Sequence, residues 1–231
     1  MKPKAPLLPH YQLKGFEQKV PTPGYDSSTT VPMVDLEEIS QRLEHPFCFD
    51  IRYARTDNFF KRAVYSSPRA FLLESVALDL IRVHQSLHRH GYGLLIFDGY
   101  RPWSVSKLFY DECQPFERDF LADPAQGSSH NRGCALDLSM YHLESGAPVK
   151  MPSDFDEMNE RAYTEYAEGP EEPRRARDLL QSSMRQHHFT PIRLEWWHFN
   201  HVSHQRWPVM NHSFDEILGS PKSIPDIESS A

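Results

Sequence analysis

An aspartate stands inside an apolar run. In CALDLSMYHL (134–143) the side chains alternate as they do in a strand with a buried face, and ESGAP follows as a turn. Asp137 would be costly to bury there unless a cation or a metal faces it. The stretch IRLEWWHFNH (192–201) raises the same problem: it is β-branched and aromatic, reads as a strand, and carries Glu195. A fold that accepts both runs must bring positive charge to the inside of a sheet.

The flanking elements are short and mixed. Ser67 and Pro68 fit an N-cap and first helical position, and Leu72, Val76, Leu80, Val83 and Leu87 mark one face of a helix that Gly91 ends. GLLIF (93–97) is a short apolar strand. DGYRP (98–102) is a turn, with Pro102 opening a second helix through about Cys113. EEPRRARDLLQSSMRQHHF is a third helix, with Pro173 near its start. Strands and helices alternate without a regular βαβ repeat, which favours α+β over a doubly wound sheet. The expected layout is an irregular N-terminal arm over 1–40 with an ordered piece at MVDLEEIS, one domain over 41–214, and a tail over 215–231.

A formal net charge of -7 disfavours a general nucleic-acid binder, which needs a basic face. Prolines and charges interrupt every apolar run, so neither a membrane span nor a secretory leader is expected. Three cysteines (Cys48, Cys113, Cys134) fit neither a disulfide framework nor a zinc ribbon, and a reduced, cytoplasmic protein is the simplest reading. Oligomeric state is open.

Of the 13 histidines, few have a partner pattern. His84 and His88 have the zincin helix spacing, but Gln85 stands where a general base is needed, so both read as surface residues. His90, His187 and His188 read as helix-end residues, and His10, His45, His142, His201, His204 and His212 show no pattern. His198 differs, because it follows Glu195 by three within the aromatic run. His130, Asp137 and His198 together make a His, Asp, His set with room for an open position, as in a catalytic zinc site. An ordinary polar network, with Asp137 and Glu195 paired to arginines, fits the same residues. Residues three apart on a regular strand point to opposite faces, so the metal reading requires the strand to bulge, twist or end between Glu195 and His198.

Three motifs taken together carry a resemblance: DGYRP (98–102), SSHNRGCALDL (128–138) and EWWH (195–198), supported by YARTDNF (53–59) and FDEMNER (155–161). In order and spacing they resemble the D-alanyl-D-alanine dipeptidases of the VanX type, within the zinc D-Ala-D-Ala metallopeptidases, over roughly residues 45 to 205. The resemblance implies a single α+β domain with a central, mainly antiparallel sheet flanked by helices, of the hedgehog/DD-peptidase kind. It implies one catalytic zinc ion held by His130, Asp137 and His198, Glu195 as general base, and Arg101 stabilising the oxyanion. It implies Asp156 at the substrate ammonium, with Ser128, Tyr53, Tyr65 and Asp98 as further substrate-contacting positions; Asp98 could equally orient Arg101. The implied reaction is hydrolysis of the free dipeptide D-Ala-D-Ala to two D-alanines. A carboxypeptidase or endopeptidase of the same family, and a non-catalytic zinc-containing binding domain, are the alternatives. Cys134, Trp196 and Trp197 read as packing residues, and Gly133 as a point of close backbone approach.

Overall fold

The computed structural model describes residues 32–220. The first 31 residues of the expected arm and the end of the expected tail lie outside that range. The part of the arm that is described is ordered. Met33–Asp35 forms strand β1, and Leu36–Ser40 forms helix α1, whose first turn is capped by the Asp35 carboxylate accepting from the Glu37 N–H at 2.9 Å. The start of the expected tail is ordered too. Helix α5, Phe214–Gly219, opens with a capping box between Ser213 and Glu216 and buries Phe214 against Tyr65 and Phe71.

The fold is α+β. A five-stranded sheet has the order β2, β4, β5, β7, β6, built from Cys48–Phe49 (β2), Tyr92–Asp98 (β4), Ala135–His142 (β5), Phe189–Pro191 (β6) and His198–His201 (β7). Only the β2–β4 pair is parallel; β4–β5, β5–β7 and β7–β6 are antiparallel. A separate ribbon pairs β1 with β3 (Phe71–Leu73). The helices are α2 (Glu74–His88), α3 (Trp103–Glu112) and α4 (Glu171–Gln186). Among the described residues no helix is long and apolar enough to cross a membrane.

Helix α2 begins later than its apolar spacing predicts. Leu72 lies in β3, and Ser67 and Pro68 lie before it, because residues 71–73 pair with β1 and the Leu73 N–H donates to Gly133 O at 3.1 Å. From Glu74 on, the expected stripe holds: Val76, Leu80, Val83 and Leu87 are fully buried, each contributing on the order of 1.5–3 kcal/mol. The helix ends before Gly91, whose φ of 80° is open to glycine at little cost.

Two expectations fail in an instructive way. IRLEWWHFNH is not one strand. Residues 192–197 form a loop, and β7 starts only at His198, after β6 has already paired with it. The loop is tied elsewhere, with the Trp196 N–H donating to Ala162 O at 2.8 Å and the Thr164 N–H to Arg193 O at 3.0 Å, while Trp196 and Trp197 are buried. His84 is no surface residue either. It is fully buried, its Nε2 2.7 Å from His45 O and its Nδ1 accepting from the Leu94 N–H at 3.0 Å.

Candidate metal centre and cavity

Sheet register assembles the site. β5 and β7 place Asp137 directly opposite His198, and β4 and β5 place Asp98 opposite Asp137 across a bulge between Ile96 and Asp98. Three polar residues from distant parts of the chain therefore stand in one row on one face of the sheet. His130 arrives from a short 3-10 turn, His130–Arg132, which ends at Gly133 in the left-handed conformation with φ 64°. The chain needs glycine here: a Cβ would lie 3.2 Å from Leu73 Cγ and 3.3 Å from Leu73 N. The packing and close-approach readings of Cys134 and Gly133 therefore agree with their positions, Cys134 being fully buried.

Three donor atoms converge. His130 Nε2 and His198 Nδ1 are 3.1 Å apart, His198 Nδ1 and Asp137 Oδ1 3.0 Å, and His130 Nε2 and Asp137 Oδ1 3.4 Å. Bonds of about 2.0–2.1 Å from a tetrahedral ion would separate its ligands by about 3.3 Å, so the triangle already has the required size. The outer nitrogens decide which lone pairs face inward. His130 Nδ1 lies 2.7 Å from Gly99 O, and His198 Nε2 lies 2.9 Å from Asn200 Oδ1, which also accepts from Ser129 Oγ. Each outer nitrogen faces an oxygen acceptor and so carries the proton, leaving Nε2 of His130 and Nδ1 of His198 bare toward the triangle. Two bare nitrogens 3.1 Å apart cannot hydrogen-bond to each other; they suit a shared cation. Burial acts to raise the Asp137 carboxyl, but His130 and His198 outweigh it and hold the group well below the usual carboxylate range. These residues fit a zinc-type ion on their own chemistry.

Glu195 sits in the turn before β7, its Oε2 3.8 Å from His198 Nδ1. The strand ends between the two residues, which meets the geometric requirement set by their spacing. Burial pushes Glu195 up to about 8, with His198 pulling it down and Asp137 and Asp156 adding to the rise. Glu195 therefore exchanges its proton in the neutral-to-mildly-alkaline range.

Arg101 is buried and lies beside the triangle. Its Nε and Nη2 donate to Asp98 Oδ2 at 2.9 and 2.8 Å, its Nη2 approaches Asp137 Oδ2 at 3.4 Å, and its guanidinium lies 4.7 Å from the Phe109 ring centroid. Tyr65 Oη donates to both oxygens of Asp98, at 2.8 and 2.9 Å. Tyr65 and Asp98 stand behind Arg101, outside the residues that line the cavity, the place expected of an Asp98 that orients Arg101. Tyr53 and Asp156 do line it, joined by a 2.9 Å bond from the phenol to Asp156 Oδ2, and Ser128 lies on the same wall. Asp156 holds a positive φ of 62° without being glycine or asparagine, and burial followed by repulsion from Asp137 pushes its carboxyl up to about 7.

The cavity has a volume of about 540 Å³ and combines these groups with apolar walls from Phe59, Phe120, Leu121 and Ile192. Nine of the ten sequence-derived residues thus form one connected constellation, and Ser128 closes it through the Asn131 loop. Sequence reasoning missed Asn200 and Gly99, which orient the two imidazoles. Asn200 was within reach, because it lies two residues beyond His198 on the same strand face; a backbone carbonyl such as Gly99 O carries no side-chain signal.

Comparison with known proteins points to one family. The family model for peptidase M15, D-Ala-D-Ala dipeptidase, matches residues 30–217. The chain is 31% identical over 187 residues to the D-alanyl-D-alanine dipeptidase of Escherichia coli (strain K12), covering 81% of this chain and 93% of that protein. It is 34% identical over 174 residues to the enzyme of the same name from Enterococcus faecalis, covering 67% of this chain and 86% of that one. A solved structure of the vancomycin-resistance D,D-dipeptidase VanXYg with a D-Ala-D-Ala phosphinate analog matches at a TM-score of 0.39 and 18% identity, over 65% of this chain and 59% of that one, too distant to add to the assignment.

Proposed function

This chain belongs to the D-Ala-D-Ala dipeptidase family of peptidases, and from that premise we propose that it is a zinc enzyme that hydrolyses the free dipeptide D-Ala-D-Ala to two D-alanines. His130, Asp137 and His198 would hold the ion. When bound, zinc supplies Lewis acidity and lowers the pKa of a coordinated water from 15.7 to about 7. The observation that carries the reading is the 3.0–3.4 Å triangle of bare donors with a raised glutamate at its edge.

The chain's own groups divide the remaining work. Glu195 takes the proton of the attacking water at a carboxylate oxygen and returns it to the leaving amine; such proton transfer contributes typically 10²–10⁴-fold. Arg101, fixed by Asp98, presents a permanent positive charge to the oxygen on which negative charge develops. Asp156, with its partner Tyr53, meets the substrate ammonium. Burial pushes the Tyr53 phenol well above its ordinary value, with the Asp156 charge adding to the effect, so it stays an O–H donor. An anion buried at that point rewards a free N-terminus and rejects a blocked or longer peptide. The apolar wall accepts small side chains.

The test is D-alanine release by zinc-loaded protein from D-Ala-D-Ala, beside N-acetyl-D-Ala-D-Ala. Release from the free dipeptide alone is expected, with a loss of at least about 10²-fold in Glu195→Gln and no loss of bound zinc. Cleavage of the blocked substrate would overturn the dipeptidase reading in favour of a carboxypeptidase. Silence on both substrates would favour a binding domain.

A further inference from the structure

A second cluster lies on the other face of β7. Along that strand His198 and Asn200 face the site just described, so Phe199 and His201 face the opposite way. There His201 meets Asp79 from the middle of α2 and His188 from the turn between α4 and β6. His201 Nε2 is 3.1 Å and His188 Nδ1 2.9 Å from the same oxygen, Asp79 Oδ2. The three donor atoms lie within 4.8 Å of one another. No other residue of the proposed reaction touches them.

We propose that Asp79, His188 and His201 form a second metal site, which takes one divalent transition-metal ion of the zinc type and clamps α2, the α4–β6 turn and β7 together. Two imidazoles and one carboxylate are a donor set that suits zinc, nickel or copper rather than calcium or magnesium. The outer groups are held as ligands of such an ion need to be. Ser203 fixes the outer nitrogen of His201, its Oγ 2.7 Å from Nδ1 and its backbone N–H donating to Nδ1 at 3.3 Å, so the ring presents Nε2 to Asp79 and an incoming ion would displace the Nε2 proton. Arg82 holds Asp79 through Oδ1 and leaves Oδ2 to the histidines.

The backbone is committed as well. His188 adopts a positive φ of 69°, a conformation non-glycine residues rarely take, and its carbonyl accepts from the Val202 N–H at 3.0 Å. Asp79 and His201 are 8% and 6% exposed, while the His188 side chain is 63% exposed. An ion could therefore enter from solvent past His188 and keep a water in its open position.

The experiment is a Zn²⁺ titration of chelator-stripped full-length protein, followed by metal analysis and thermal unfolding. Wild type should take two equivalents. His188→Ala, an exposed substitution, should take one and keep its peptidase activity, if any. Asp137→Asn should also keep one, and Zn²⁺ should raise its melting temperature, a rise lost in Asp137→Asn/His188→Ala. A single equivalent in wild type that His188→Ala retains, or two in His188→Ala, would overturn the proposal. Because stoichiometry is read without turnover, failure here leaves the dipeptidase reading standing, and failure of that reading leaves this site intact.

Discussion

Asp98 ties Arg101 in place from the neighbouring strand. It is fully buried, takes two bonds from Arg101 and receives the Tyr65 phenol from behind. Asp98→Asn keeps the shape but removes the charge that fixes the guanidinium. We expect kcat to fall on the order of 10²-fold with KM little changed, since the arginine acts on charge that develops in the transition state. Tyr65→Phe should cost about 1 kcal/mol of stability, the worth of one hydrogen bond, and far less activity. Steady-state kinetics that raised KM alone in Asp98→Asn would place Asp98 against the substrate instead. Motif spacing brought Asp98 into view, while the bonds from Arg101, which favour the orienting reading, depend on a fold that spacing does not show.

At the scale of elements, the turn ending at Gly133 is a tight joint of the site. A methyl group there would meet Leu73 and force an L-residue into the left-handed region. Gly133→Ala should destabilise the protein by about 1–2 kcal/mol, measured by urea unfolding, and weaken metal binding, because His130 rides on that turn. Unchanged unfolding would mean that the turn relaxes freely. Helix α2 was readable from its apolar stripe, since a period of 3.6 is a local property, whereas α5 fell in the stretch read as a tail. The β6–β7 hairpin was not readable. Its two strands are short, and the loop between them is as aromatic as a strand because Trp196 and Trp197 pack inward from it. Burial of a loop by distant contacts leaves no periodic mark.

Taken as a whole, the molecule hides a titratable group in its core. Burial pushes His84 down to about 4, with the His45 carbonyl pulling the other way and the neighbouring rings of His88 and His45 adding to the fall. Unfolded, the same imidazole titrates near 6.5. The unfolded chain thus binds more protons between those values, so this stability is present above pH 6.5 and is lost as pH falls toward 4. The loss between pH 7 and pH 5 should be about 2 kcal/mol in urea unfolding, and smaller in His84→Gln. An equal slope in the variant would assign the acid sensitivity elsewhere. The spacing of His84 and His88 was visible in the sequence, but its meaning was not, because burial depends on His45 and Leu94 arriving from other elements.

The row of Asp98, Asp137 and His198 across β4, β5 and β7 has a consequence for how such a chain comes into being. Unlike a metal knuckle, whose ligands lie in one short segment, this set does not exist until the last of the three strands has left the ribosome and paired. A nascent chain that lacks β7 would lack the full three-residue donor set. Metal acquisition would then be the closing event of biogenesis, and a premature stop before His198 would yield a polypeptide blind to metal rather than a weakened enzyme.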